Sequence, residues 1–233
     1  MSALSPPDTP IVILAEGCFG TIEAKTASGV LRYGQWPVVA VIDSTMAGQR
    51  ATHHAGKGRD VPVVCSLAEA LQLSPRPKAL LIGIAPIGGK LPPSHLQIVR
   101  EAVEAGLHVI SGLHEFLGDL PDLRQAAEDK GVILWDVRAV GKPNRVPQFR
   151  PRDRKAFVVT TVGTDCSVGK MTAGLEVWQA LTSRGDQARF VATGQTGILI
   201  TGSGVPLDHV IGDFMAGHME REVEEVMQNE QPD

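Results

Sequence analysis

Residues 157–172 read FVVTTVGTDCSVGKMT. The first six are β-branched or aromatic, the composition of a strand buried on both faces. Gly163, Thr164, Asp165, Cys166, Ser167, Val168, Gly169 and Lys170 then make a glycine-bounded loop ending in Gly-Lys, and Met171 and Thr172 lead into a helical pattern over 173–184. Strand, loop, Gly-Lys and helix in that order are the setting of a phosphate-binding P-loop. Backbone N–H groups of such a loop and of the helix start converge on a phosphate, Gly169 lets the chain approach it without a side-chain clash, and Lys170 supplies a mobile positive charge. The expected guest of residues 163–172 is a polyphosphate.

Two features of the loop narrow its chemistry. The spacing from Gly163 to Gly169 is one residue longer than the usual Walker pattern, and Met171 stands where a Ser or Thr normally ligates magnesium. A thioether is a poor ligand for a hard cation, so no metal site is predicted unless Thr172, one place later, supplies the hydroxyl for magnesium. The loop predicts phosphate binding; phosphoryl transfer requires that substitute.

Downstream, 188–192 reads as the next strand, ending in Thr193, Gly194, Gln195, Thr196 and Gly197. Beside a phosphate loop, small residues with hydroxyl and amide groups suit a polar substrate, which makes Thr193, Gly194, Gln195 and Thr196 candidate substrate-binding residues; a plain turn explains them equally well. After a turn at 202–206, residues 208–228 form a helical pattern. Asp213, Gly217 and Glu220 fall four and three apart and share one face, and a glycine there admits the close approach of another segment. Asp213, His218 and Glu220 are the catalytic candidates, against the alternative of solvated charges on a surface helix.

Upstream, 137–155 changes texture. Arg138, Lys142, Arg145, Arg150, Arg152, Arg154 and Lys155 face only Asp153, among three prolines and no apolar period. This is a basic linker or strap, either a solvated connector or a source of guanidinium groups for an anionic ligand.

Before it, apolar runs at 11–14, 38–42, 61–64, 79–84, 107–110 and 132–135 alternate with helical segments. Ser66 precedes one through Leu71, Ser94 is read as capping one to about Ala105 with Gly106 after it, and Pro121 opens one that stops at Gly131. Six strands alternating with helices predict a Rossmann-like, doubly wound parallel sheet whose ligands sit beyond the strand ends. The tips are 16–20, 43–47, 86–90 and 111–114. None carries a GxGxxG, and Gly17 and Gly20 alone fit tight turns. Asp43, closing an apolar strand, suits either a ribose hydroxyl or a helix cap.

The expected class is therefore α/β, with a Rossmann-like domain at 1–136, the linker at 137–155 and a P-loop NTPase-like α/β domain at 156–233. The last holds only two evident parallel strands and is expected to be incomplete, the N-terminal part of such a domain. The bulk properties agree: of 233 residues, 43% are hydrophobic and 21% charged, as in globular chains. A net charge of -4 offers no basic field for nucleic acid. Cys18, Cys65 and Cys166 have no CxxC or Cys/His spacing, so neither a disulfide framework nor zinc is indicated, and a reducing cytoplasm is expected. Neither a signal-peptide start nor a run of about 18 apolar residues is present, so no membrane partner is expected.

GTDCSVGKMT at 163–172, ATGQTGI at 192–198, GVPLDHVIGDFMAGHME at 204–220, LLIGIAPIGG at 80–89 and GLHVISGLHEFLGD at 106–119 together resemble the D-glutamate N-acetyltransferase-like family, long catalogued as a domain of unknown function. The resemblance implies a Rossmann-like N-terminal and a P-loop C-terminal domain, and GKMT as the family's own form of the loop. It further implies longer members that continue with another strand ending in a Glu-Gly-Gln-Gly type loop. The implied activity is acetyl transfer from acetyl-CoA to the amino group of a small-molecule substrate, D-glutamate or a related amino acid. GTDxxVGK separately resembles the loop of dethiobiotin synthetase, which implies an ATP-dependent ligase or kinase acting on a carboxylate, with Mg²⁺ held by Thr172, Asp165 or a further acid. A non-catalytic nucleotide-binding protein is the third reading. Acetyl-CoA and ATP both carry the phosphates the loop requires. The oligomeric state stays open, a homo-oligomer among the expectations.

Overall fold

The fold is described from a computed structural model covering residues 4, 8–56, 58–86, 88–149, 156–165 and 168–229. The chain divides into two compact units, Met1–Ala139 and Val140–Asp233.

In the first unit six parallel strands stand in the order β3-β2-β1-β4-β5-β6. They are β1 (Ile11–Leu14), β2 (Val38–Ile42), β3 (Val63–Val64), β4 (Ala79–Ile82), β5 (His108–Ser111) and β6 (Leu134–Asp136). This is the doubly wound order, which reverses between β1 and β4. β1 lies at the centre, with Ile13 paired to Val41 on one side and Leu81 on the other. All four of its residues are buried, which explains its unbroken apolar run: helices cover both faces, so no position turns to water. Each such side chain contributes about 1.5–3 kcal/mol by leaving water.

The helices are α1 (Lys25–Tyr33), α2 (Thr52–Ala55), α3 (Leu67–Ala70), α4 (Pro93–Glu104) and α5 (Pro121–Lys130). α1 buries the stripe Thr26, Ala27, Val30, Leu31 and Tyr33 against the sheet. Ser66 caps α3 by accepting the Glu69 N–H. α5 begins at Pro121 and ends at Gly131, whose φ of +64° is the left-handed stop a side chain would resist. In α4 the cap position falls to Pro92. Ser94, read from the sequence as the cap, lies inside the first turn, where its hydroxyl meets His95 Nδ1 at 3.2 Å, because Pro93, with no N–H and a fixed φ, takes the first helical position.

The second unit contains α6 (Lys170–Arg184), α7 (Gln195–Thr201) and α8 (Met215–Asn229). The strands expected at 157–162 and 188–192 are absent. The described residues there form no ladder, and the pairing in this region is one bridge between Ala192 and Gly204. Both segments lie against α6 all the same. A Cβ at Gly174 would sit 3.0 Å from the Phe190 ring and 3.5 Å from Thr161 Cγ2. Further along the helix, the Trp178 indole donates to the Ala188 carbonyl at 3.2 Å. The helix packing of a P-loop domain is therefore formed on this side, while Phe157 and Val162 stand 85% and 84% exposed. No helix among the described residues is long and apolar enough to cross a membrane.

Candidate functional site

α6 opens at Gly169, whose φ of +93° is open to glycine at little cost, so the loop turns into the helix with the Lys170 side chain at its first position. Gly163 has a steric reason of its own: a Cβ there would lie 2.9 Å from both Lys170 Cγ and Val168 Cγ2. The loop thus closes on itself, the aliphatic stem of Lys170 resting on the Gly163 backbone, while its ammonium donates to the Asp165 carbonyl. A Lys held over its own loop at a helix start concentrates positive potential where a phosphate would bind. Met171 and Thr172 follow in the first turn, both exposed; Thr164 and Asp165 are exposed on the loop, and Cys166 and Ser167 lie outside the described residues.

Residues 193–197 prove to be the start of a helix. Gly194 is the N-cap of α7, and Gln195, Thr196 and Gly197 form its first turn, Thr196 buried and Thr193 exposed. Gly197 is required because a Cβ there would meet Ala192 Cβ at 2.8 Å. α6 runs antiparallel to 188–192, since Gly174 faces Phe190 and Trp178 faces Ala188. Thr193 and Gly194 therefore emerge at the end of α6 that carries the phosphate loop.

The third group divides. Asp213 is exposed on the turn Gly212–Phe214, ahead of α8. His218 and Glu220 are buried on α8 against the segment 142–148. Gly217 lets that segment cross, since a Cβ there would overlap the Arg145 carbonyl oxygen. Glu220 accepts from the Gln148 N–H at 2.6 Å and from Arg145 at 3.4 Å. Arg145 also reaches Glu224 at 2.7 Å and the Gly217 carbonyl. His218 Nε2 meets Asn144 Oδ1 at 3.1 Å; burial first, then the positive charges of Arg221, Lys142 and Arg145, holds its pKa below the ordinary value. Lys142 pairs with Glu225 and, at 3.6 Å, with Glu222. In the first unit Arg138, at the head of the basic run, is buried and donates to the Gly112 carbonyl at 2.8 Å. Arg150, Arg152, Arg154 and Lys155 lie outside the described residues. Asn144 and Glu224 escape sequence reading, and Arg145 is legible there only as one member of the basic run; the signal was Glu224, one further turn along the Gly217–Glu220 face.

Two matches bear on this geometry. Residues 44–140 match the Rossmann-like domain, and 145–233 the P-loop domain, of DUF1611, a domain of unknown function. The chain belongs to the DUF1611 family. A crystal structure of a DUF1611 family protein from Anabaena variabilis superposes with a TM-score of 0.86 at 38% identity, over 96% of this chain and 64% of that one. Two curated relatives are named D-glutamate N-acetyltransferase. One, from Tritonibacter scottomollicae, is 47% identical over 143 residues, 61% of this chain and 42% of the relative. The other, from a Pseudoalteromonas species, is 40% identical over 162 residues, 67% of this chain and 46% of the relative. The chain thus spans less than half the length of the curated relatives it matches.

Proposed function

We propose that this protein is an N-acetyltransferase that moves the acetyl group of acetyl-CoA to the amino group of D-glutamate or a related amino acid. The observation that carries the reading is Lys170, whose side chain folds onto Gly163 and the Asp165 carbonyl at the head of the loop and which is followed by Met171. Coenzyme A carries a pyrophosphate and a ribose phosphate, so such a loop holds it without cleaving a phosphoryl bond and without a hydroxyl for magnesium. The name of the two curated relatives, D-glutamate N-acetyltransferase, supports the same reaction.

In the reaction the neutral amine attacks the thioester carbonyl carbon. The C–N bond forms, the C–S bond breaks, and the amine proton ends on the departing thiolate, giving the free thiol and the amide. A base for the amine and donors for the tetrahedral oxyanion are required. Among the base candidates, Asp213 stands open to a bound amine, whereas Glu220 is engaged by Arg145 and Gln148 and His218 is covered by Asn144. The Gln195 amide and the N–H groups of 194–197 are the candidate donors.

The test is incubation with acetyl-CoA and D-glutamate in the presence of a magnesium chelator, following free thiol and the N-acetyl product. Activity should persist with the chelator. Lys170→Ala should weaken acetyl-CoA binding about ten- to hundredfold, as loss of a charged hydrogen bond of about 1.5–3 kcal/mol does. ADP release from ATP, dependent on magnesium and a carboxylate substrate, would instead establish the ligase or kinase reading, which the GTDxxVGK spacing and the neighbouring Thr172 hydroxyl support.

A further inference from the structure

We infer that the Rossmann-like domain takes no dinucleotide: the crevice this strand order provides is filled by its own chain, and Asp43, at the ribose-binding position, is an internal brace. In doubly wound sheets of this order a dinucleotide lies where the order reverses, here between β1 and β4. Its pyrophosphate sits on the start of the first helix, and a carboxylate beyond the second strand takes the ribose hydroxyls.

At the helix start, the chain leaving β4 occupies the approach. Ala27, in the first turn of α1, donates its N–H to the Gly83 carbonyl at 2.9 Å, and Ala85 donates back to the Glu23 carbonyl at 2.8 Å. The Lys25 N–H is taken by Ile22 in the short helical turn that precedes α1. Two of the donors a pyrophosphate would need are therefore used. Gly83 lies so close that a Cβ on it would be 2.5 Å from Ile13 Cγ2 and 2.8 Å from Ala27 Cβ. No GxGxxG loop opens a path between β1 and α1.

At the ribose position, Asp43 is fully buried. One carboxylate oxygen accepts from the Phe19 N–H at 2.9 Å; the other accepts from the Thr45 N–H at 2.9 Å and its hydroxyl at 2.6 Å. Phe19 is itself buried, its ring edge-on to His54 at 5.7 Å. The neighbouring ties close the same mouth: Glu16 accepts from the Ser44 N–H at 2.9 Å and from its hydroxyl, and the Glu16 carbonyl meets His95 Nε2 at 3.0 Å. The loops that part around a dinucleotide are here fastened to one another by polar contacts, buried between Phe19 and Asp43, part-buried between Glu16 and His95 and exposed between Glu16 and Ser44.

The experiment titrates NADH and NADPH, by their fluorescence, into the full chain and into Lys170→Ala, which removes any contribution of the phosphate loop. No saturable binding at millimolar concentration, or binding that disappears in Lys170→Ala, is the expected result. Saturable binding that survives Lys170→Ala overturns the inference. Asp43→Asn tests the brace, because it turns one acceptor into a donor facing an N–H: its melting midpoint should fall by about 3–8 °C. An unchanged midpoint would overturn that half of the inference.

Discussion

Single residues in this protein are chosen by the atoms within a few ångströms. Gly163 has no side chain because the stem of Lys170 occupies that space, and Asp43 is acidic because three donors converge on it. His108, at the start of β5, shows the same economy with a consequence for pH. Its Nδ1 accepts the Ile133 N–H at 3.0 Å, which requires the neutral ring, and burial lowers its pKa from the ordinary value near 6.5. In the pH range between the two values the unfolded chain takes up the proton and the folded one does not. The stabilisation from this residue is therefore complete above about pH 6.5 and is lost as pH falls through the lower folded value. His108→Asn keeps an acceptor oxygen near that N–H and does not titrate. The gap in melting temperature between the natural protein and this variant should change in the variant's favour between pH 7.5 and pH 5, as read by circular dichroism melts with His108→Leu as a second non-titrating reference. A gap that stays constant in both comparisons refutes the linkage.

Elements, by contrast, are decided by what lies beside them, and this sets how far the sequence could be read. The six strands of the first unit were legible because their apolar runs build a sheet whose centre, β1 and β4, is covered on both faces, with only β6 at the edge half-buried along its length; their observed ends differ from the expected ones by a few residues at most. α1 was less legible, since Thr26 and Ala27 give its buried stripe little apolar weight. The segment 157–162 misled for a physical reason. A strand is a relation between two stretches of backbone, and β-branched composition supplies only one of them. The glycine at 217 was legible as a point of close approach, but its visitor was not, because an arginine among seven basic residues over 137–155 carries no mark of its own. That crossing supports a prediction. Gly217→Ala sets a methyl against the backbone oxygen of Arg145, which no rotamer change relieves, so the segment 142–148 must leave α8 or the helix must shift. The expected cost is about 1–3 kcal/mol, with limited trypsin cleavage appearing at Arg145. Resistance equal to that of the natural protein would mean that the strap is not held at this point.

For the whole molecule, the contrast between its two units matters most. The Rossmann-like unit buries every residue of β1 and β4 at the centre of its sheet, whereas the P-loop unit carries Phe157, Val158, Val159 and Val162 in the open, with Val159 68% exposed and no backbone ladder formed there among the described residues. Uncovered β-branched backbone is a template for pairing with other chains, and a net charge of -4 provides modest repulsion to oppose it. Proteins manage such segments with a charged residue on the exposed stretch, and none stands between Ala156 and Gly163. The 233-residue chain is therefore predicted to bind a hydrophobic dye in its folded state and to scatter light increasingly with concentration and salt. Val159→Lys should reduce both signals while leaving the melting of the Rossmann-like unit where it was, since Val159 belongs to the other unit. If the lysine leaves dye binding and scattering unchanged, the adhesive surface lies elsewhere, and the exposure of 157–162 is not what governs how these molecules meet.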